Sequence, residues 1–521
     1  MTSVTIGHVT VMTSDSWDQQ VPEPSGEPFA DVAETHSAAV YFAGGWAFKL
    51  KKPVNLGFLD FTSPQARQAA CHAEVELNRR FAPDVYLGVS ELRDPADQVV
   101  DHLVMMRRMP ASRRLSALVA AGQPVTRPLR EVAHTLATAH AASPQCPEIA
   151  EQGSRDALLG RWQANVDQAR ALKSCPLSPA VTDEVQLLAE RFLAGRAPLF
   201  AARMRAGRMV DGHGDLLADD IFCLDDGPRI LDCLDFDDRL RWLDGLDDAA
   251  CLAMDLEHLG AAELAEQFTG WYAEFSADPA PPALVHHYVA YRAFMRAKVA
   301  ALRCGQGDPQ AAGVARALAA LALRHLRAGA VALVLVGGLP GTGKSTLSAR
   351  LAARLGWTVL SSDRIRKELA GIPATQPSPA AYGTGLYSPE WTGRTYAELL
   401  HRAALVLAEG ESVIADASWT SQRHRSAGAE VAERAVADLV QLRCTTPAGV
   451  AEHRIRARAP DPSDANPEIS KQMAAAQQSW PDAITIDTTK ADDSLAQAIT
   501  AIRPPGPEDL WRPQRPYMPP G

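Results

Sequence analysis

The sequence predicts two domains of different class, an α+β first half followed by an α/β half built on a parallel sheet. Three observations carry this. Residues 331–346 read as a buried strand, a glycine loop and a helix start in direct succession. Beyond them, short apolar runs alternate with helical stretches, the pattern of parallel strands joined by crossover helices. Before them the order differs: a strand pair around Gly44-Gly45, then long helical spans, with no internal repeat linking the halves.

A chain of 521 residues is too long for a single core. A net charge of −10 argues against a constitutive nucleic-acid coat but leaves room for a local basic groove. Residues 1–8 lack a basic region followed by an apolar run, so no signal peptide is expected, and no apolar run reaches membrane-spanning length. The eight cysteines are scattered without a C-x-x-C pair, which fits reduced thiols in the cytoplasm better than disulfides or zinc. The expected organisation is a flexible leader over 1–30, a first domain over 31–328, a second over 329–503, and a disordered Pro-rich tail over 504–521. Residues 324–330 form the boundary between the two domains.

The second half opens on Val331-Ala-Leu-Val-Leu-Val336, apolar throughout as a central parallel strand is. Gly338-Leu339-Pro340-Gly341-Thr342-Gly343-Lys344-Ser345 fits G-x-x-x-x-G-K-[ST] at every defined position, and Thr346 leads into a helical pattern. This strand–loop–helix context distinguishes a P-loop from an inert glycine turn. The glycines let backbone N–H groups wrap a polyphosphate, Lys344 reaches the β- and γ-phosphates of ATP, and Ser345 ligates Mg²⁺. Trp357 to Ser362 reads as a strand ending at Asp363, placed at the carboxyl end of the neighbouring strand, where ligands sit in open parallel sheets. Asp363 suits a general base or orienter of an acceptor hydroxyl, an N-cap of the next helix, or both. Arg366 is placed to contact the acceptor. A strand ending in Asp416 offers a Mg²⁺ carboxylate or an acceptor-site acid. Arg454 and Arg458 share a helix face and read either as a lid that closes over the phosphates or as a solvated basic helix.

In the first half, Lys49 sits inside an apolar strand, and Glu74 lies on a downstream helical stretch. They read as a phosphate-clamping lysine with its partner glutamate, or as a surface ion pair. His213-Gly-Asp215 precedes one apolar strand. Asp220, Asp232 and Asp235 flank this strand and the next, which gathers carboxylates at one end of a small sheet. Such a cluster suits metal-assisted phosphoryl transfer, an acidic hairpin or a calcium-type surface site. His140 reads as a packed histidine.

With these residues in view, the second half resembles small P-loop kinases of the polynucleotide 5′-kinase, gluconate kinase and zeta-toxin type, Asp363 and Arg366 matching a D-x-x-R acceptor site. The first half resembles aminoglycoside-phosphotransferase-like kinases of the protein-kinase-like fold, on Lys49, Glu74, His213-Gly-Asp215 and Leu234-Asp235-Phe236. Together they look like bacterial proteins that fuse both domains. The resemblance implies an α+β protein-kinase-like domain followed by an α/β P-loop kinase domain, with ATP and Mg²⁺ as cofactors. In the first domain it implies Asp215 as base, Asp220 and Asp235 as metal ligands, and Lys49 on the phosphates. Asp220 departs from the Asn of the family pattern. Asp232 competes with Asp235 for the metal role, and Asp235 fits better by its spacing to Asp248. The expected activity is phosphoryl transfer to hydroxyls of small molecules at two sites. A nucleic-acid 5′-hydroxyl kinase and a pseudokinase joined to an ATP switch are the alternatives. No membrane partner is expected.

Overall fold

The computed structural model describes residues 3–6, 9–12, 28–34, 37–55, 60–172, 176–374, 376, 378, 381, 383–457 and 466–503. Contacts divide the chain into two compact units. One comprises residues 1–178, 202–280 and 288–322; the other comprises 179–201, 281–287 and 323–521. Arg458, most of the expected leader and the Pro-rich tail lie outside the described residues.

The first unit begins with an antiparallel sheet of strands β1 (Ser3–Ile6), β2 (Val9–Met12), β3 (Ala30–Glu34), β4 (Ala38–Ala43), β5 (Trp46–Lys51), β6 (Tyr86–Arg93) and β7 (Val99–Arg107), ordered β1-β2-β6-β7-β5-β4-β3. Strands β1 and β2 lie in the segment expected to be a leader. They pair antiparallel with each other, and β2 also pairs with β6. The β4–β5 hairpin turns at Gly44, which takes φ +56° at little steric cost. Alternation along β5 sends Phe48 into a cluster with Leu103 and Met105, while Lys49 and Lys51 point to the opposite face.

On that face lies the helix Pro64–Asn78. Ser63 caps it by accepting from the Ala66 N–H at 3.1 Å, and Pro64 occupies its first turn. Its Cys71 and Val75 pack with Val85, Tyr86 and Val104 in one buried cluster. This packing fixes Glu74 beneath the sheet. The rest of the unit is mainly helical and carries two small antiparallel ribbons. One pairs β8 (Met209–Asp211) with β11 (Trp242–Asp244), the other β9 (Ile221–Leu224) with β10 (Gly227–Ile230). An antiparallel sheet with one packed helix, followed by a helical region holding acidic ribbons, is the protein-kinase-like α+β architecture.

The second unit is the α/β P-loop architecture. Strands β12 (Ala332–Gly337), β13 (Thr358–Ser361), β14 (Val413–Asp416), β15 (Asp438–Thr445) and β16 (Ile484–Asp487) form a parallel sheet ordered β13-β14-β12-β15-β16. Every residue of β12 is buried, as its continuous apolar run demands. The sheet order corrects one expectation. The strand leading to Asp363 does not adjoin the P-loop strand, because β14 lies between them. Residues drawn from the first half of the chain complete this unit. Arg327 is 2.6 Å from Glu184, Arg191 is 2.8 Å from Asp438, and the rings of His287 and Phe192 stack at 4.5 Å.

Candidate nucleotide and acceptor sites

In the second unit, Gly338, Gly341 and Gly343 adopt φ of +146°, +81° and +82°. A Cβ at Gly341 would stand 2.5 Å from the Ala451 carbonyl, so both conformation and space require glycine there. The loop is tied from three sides. Gly338 N–H donates to the Ser418 carbonyl at 3.2 Å, Thr342 Oγ1 to the Leu339 carbonyl at 2.8 Å, and Thr488 Oγ1 to the Thr342 carbonyl at 2.5 Å. The helix Lys344–Leu355 starts directly from this loop, leaving Ser345 and Thr346 exposed at its positive end. Asp416 ends β14 in register with Val336 of the P-loop strand. It is 5% exposed, buried beside the loop. Burial pushes the Cys444 thiol up to about 12; Lys344 and Asp416 are its charged neighbours.

A cavity of about 310 Å³ adjoins this loop, lined by Lys344, Asp363 and Arg366 among others. Asp363 stands in the first turn of the helix Ser362–Leu369, whose N-cap is Ser361, so the capping role weighed for Asp363 is not the one it takes. Arg366 is buried, donates from Nη1 to the Leu386 carbonyl at 2.7 Å, and keeps an Nε without a partner. Two residues the sequence did not flag complete the wall: the His424 and Tyr396 rings stack at 3.9 Å, 8° from parallel. Arg454, on the helix Ala448–Arg456, donates to the Thr488 carbonyl at 2.9 Å and approaches Gly343 of the P-loop.

In the first unit, Lys49 Nζ lies 2.8 Å from Glu74 Oε1 and 2.6 Å from Asp232 Oδ1. The pair is buried, not a surface one. Lys51, which the sequence reading passed over, binds the other Glu74 oxygen at 2.8 Å and Asp235 at 2.5 Å. Strand period places both lysines on one face, which was the available signal. Burial opposes ionisation of Glu74, but the two lysines overcome it and hold the carboxyl down to about 2.

Both carboxylates weighed for the metal role are paired with lysines: Asp235 with Lys51, and Asp232, in the left-handed region at φ +63°, with Lys49, where it also faces Asp220. Burial, then the carboxylates of Asp232, Asp215 and Asp219, raise Asp220 well above the carboxylate range. Such crowding of like charge is relieved by a cation, so Asp220 and Asp232 fit Mg²⁺. Among the described residues no three His, Cys, Asp or Glu form a ready metal cage. Mg²⁺ in phosphoryl-transfer sites is held by one or two carboxylates together with the nucleotide phosphates, and does not require one.

Asp248 anchors the loop that carries Asp215. It accepts from the backbone N–H of His213 at 2.6 Å and of Gly214 at 2.9 Å, and its Oδ2 is 3.0 Å from His140 Nε2. His140 is thus a packed residue with a positioning task. Asp215 lies 3.2 Å from Arg296 and faces a cavity of about 450 Å³ shared with Lys49, Lys51 and Asp232.

These two sites define a class: a protein-kinase-like unit joined to a P-loop unit in one chain. Residues 333–479 match the AAA domain family model. Uncharacterized proteins of Mycobacterium tuberculosis and Mycobacterium bovis are each 42% identical over 473 residues, covering 91% of this chain and 95% of theirs. The chain belongs to the family of these mycobacterial proteins. Among solved structures, it is similar to a choline/ethanolamine kinase family protein from Mesorhizobium loti at 16% identity, over 58% of this chain and 93% of that one, with a TM-score of 0.36. It is also similar to a putative kinase from Chloroflexus aurantiacus at 23% identity, over 33% of this chain and 98% of that one, with a TM-score of 0.28. Among the described residues no helix is long and apolar enough to cross a membrane.

Proposed function

We propose that the protein is an ATP-dependent phosphotransferase with two sites, each transferring the γ-phosphoryl group of MgATP to a hydroxyl of a small molecule. The observation that carries this reading is the P-loop whose Lys344 opens onto the same cavity as Asp363 and Arg366. A phosphate-cradling loop beside a carboxylate and a buried guanidinium is the minimal set for positioning an acceptor hydroxyl against a nucleotide. Asp363 orients that hydroxyl and takes its proton, Arg366 holds the acceptor, and Arg454 steadies the phosphate end of the loop. Ser345 and Asp416 are the groups that would hold Mg²⁺, which supplies charge neutralisation on the transferring phosphate.

In the first unit, Lys49 clamps the phosphates and Glu74 fixes Lys49. Asp215 orients the acceptor, and Asp220 with Asp232 would hold Mg²⁺. One observation favours a second reading for this unit alone. Asp220 stands where the pattern of the resembled kinases has Asn and sits among carboxylates, which favours a nucleotide-binding pseudokinase. The seven cysteines among the described residues are free thiols, which supports the cytoplasm as its compartment.

The test is transfer of labelled γ-phosphate from ATP into a metabolite mixture by the wild type, Lys344→Ala and Asp215→Ala. Each substitution should remove a different labelled product. Labelling unchanged in Lys344→Ala sinks the reading of the second unit; labelling unchanged in Asp215→Ala reduces the first to a pseudokinase.

A further inference from the structure

The first unit's cavity has two chemically different sides. The nucleotide side holds the lysines and the metal carboxylates. The other side is lined by Arg161, Arg292 and Arg296, with Tyr291 and Met295 as an apolar wall. The carboxylates on that side are Asp215 and Asp247, and each is already matched by an arginine. Asp247 is 1% exposed and accepts from Arg292 Nε at 2.7 Å, while Arg292 Nη1 donates to the Gly214 carbonyl at 2.6 Å. Asp215 lies 3.2 Å from Arg296 Nη1. Arg161 is left over: its Nη2 donates to the Gln152 carbonyl and its Nε has no partner. Among these five groups guanidinium outnumbers carboxylate by one.

A second, independent feature points to a ligand. Asp247 Oδ2 is buried without a hydrogen-bond partner in a residue that lines the cavity. A buried carboxylate oxygen left without a donor is costly unless a ligand supplies one. A cationic acceptor would meet three guanidinium groups and two carboxylates already neutralised by arginine, an arrangement that disfavours it.

We propose that the first unit's acceptor is a small anionic hydroxy compound, whose carboxylate or phosphate is held by Arg161 and Arg296 while a hydroxyl donates to Asp247. The inference rests on reading this unit as a phosphotransferase. Drawing Arg296 onto the ligand anion releases Asp215 to receive a proton. The acceptor oxygen then forms its bond to the γ-phosphorus as the bond from that phosphorus to the ADP oxygen breaks, and the hydroxyl proton passes to Asp215.

The experiment uses the full chain carrying Lys344→Ala, so that the second unit does not contribute. Glycerate and glycerol 3-phosphate serve as anionic probes, glycerol as the neutral probe, and choline and kanamycin as cationic probes. Each is measured by calorimetric binding in the presence of a non-hydrolysable ATP analogue, and by labelled phosphate transfer from ATP. At least one anion should bind and be phosphorylated in preference to glycerol and both cations, the two anions telling carboxylate from phosphate. Arg161→Met should weaken that anion about tenfold or more, with Arg161→Lys restoring part of the affinity. Retained binding of the ATP analogue confirms that the variants are folded. A cation or glycerol preferred over both anions, no binding of either anion, or anion affinity unchanged in Arg161→Met overturns the proposal. Failure of the underlying reading is separable: the ATP analogue would then bind equally well to the Lys49→Ala variant.

Discussion

The two units build their proposed phosphate sites by opposite means. The first uses side chains: Lys49 and Lys51 project from one strand and are held by a single buried glutamate that forks between them. The second uses backbone: glycines at positive φ shape a loop that runs directly into the start of a helix. The first arrangement is neutralised by ion pairs before any ligand arrives, so a nucleotide must share or displace those contacts. The second depends on conformations that only glycine adopts readily. The comparison teaches that the first unit should fail through charge and the second through shape.

The largest effect is expected from shape. Gly341→Ala would drive a Cβ to within 2.5 Å of the Ala451 carbonyl at φ +81°. ATP-dependent labelling by the second unit should drop by about a hundredfold or more, with the first unit's product untouched. Equal loss of both products would show that the units do not act separately.

Next in size, Glu74→Gln leaves two buried lysines without their shared anion. A loss on the order of 3 kcal/mol in the first unit's unfolding free energy is expected, read by denaturant titration. This substitution also changes the acid limb. The folded-state pKa of Glu74 lies below its ordinary 4.5, at about 2, so its contribution is present above pH 4.5 and is lost as pH falls towards 2. The variant should show a shallower fall in stability across that window; an unchanged acid limb would contradict the clamp.

Asp220→Asn tests the carboxylate crowding. Because the folded-state pKa of Asp220 is raised, its ionised form opposes folding once pH exceeds the ordinary carboxylate range. The amide should stabilise the metal-free protein by on the order of 1 kcal/mol at neutral pH and weaken the stabilisation conferred by added Mg²⁺. Thermal unfolding with and without Mg²⁺ reads both; a metal-free Tm that falls would remove Asp220 from the cluster.

The smallest effect at neutral pH lies away from the sites and shows only in acid. Burial lowers His287 to about 3, so its neutral form supports the second unit above pH 6.5 and that support fades as pH falls from 6.5 towards 3. His287→Phe keeps the ring against Phe192 and should flatten this part of the pH–stability curve. An identical slope would show that the histidine is not buried in solution.

How much was legible in the sequence follows a physical rule. Chemistry carried by near neighbours could be read directly: the P-loop, the Gly44 hairpin, His213-Gly-Asp215, and the parallel-sheet alternation. The Lys49–Glu74 pairing was legible as an option, because strand and helix are close in sequence. Lys51 shares a strand face with Lys49 and lies 23 residues from Glu74, so that contact was legible too; only its pairing with Asp235, 184 residues away, is beyond any spacing rule. Which lysine each of Asp232 and Asp235 meets was hidden for the same reason. Two aspartates three positions apart look alike in a string, and a left-handed backbone at Asp232 decides which carboxylate reaches Lys49.

By itself, the sequence determined that this chain holds a P-loop on a parallel sheet and a cluster of carboxylates in a half of different fold class. Those properties come from local periodicity and from residue types with narrow conformational demands. Only the tertiary structure decided that β14 separates the Asp363 strand from the P-loop strand, and that Arg292 and Arg296 pair with Asp247 and Asp215 along one wall of the first cavity. Both depend on which distant segments pack together, a choice made by burial across the whole unit.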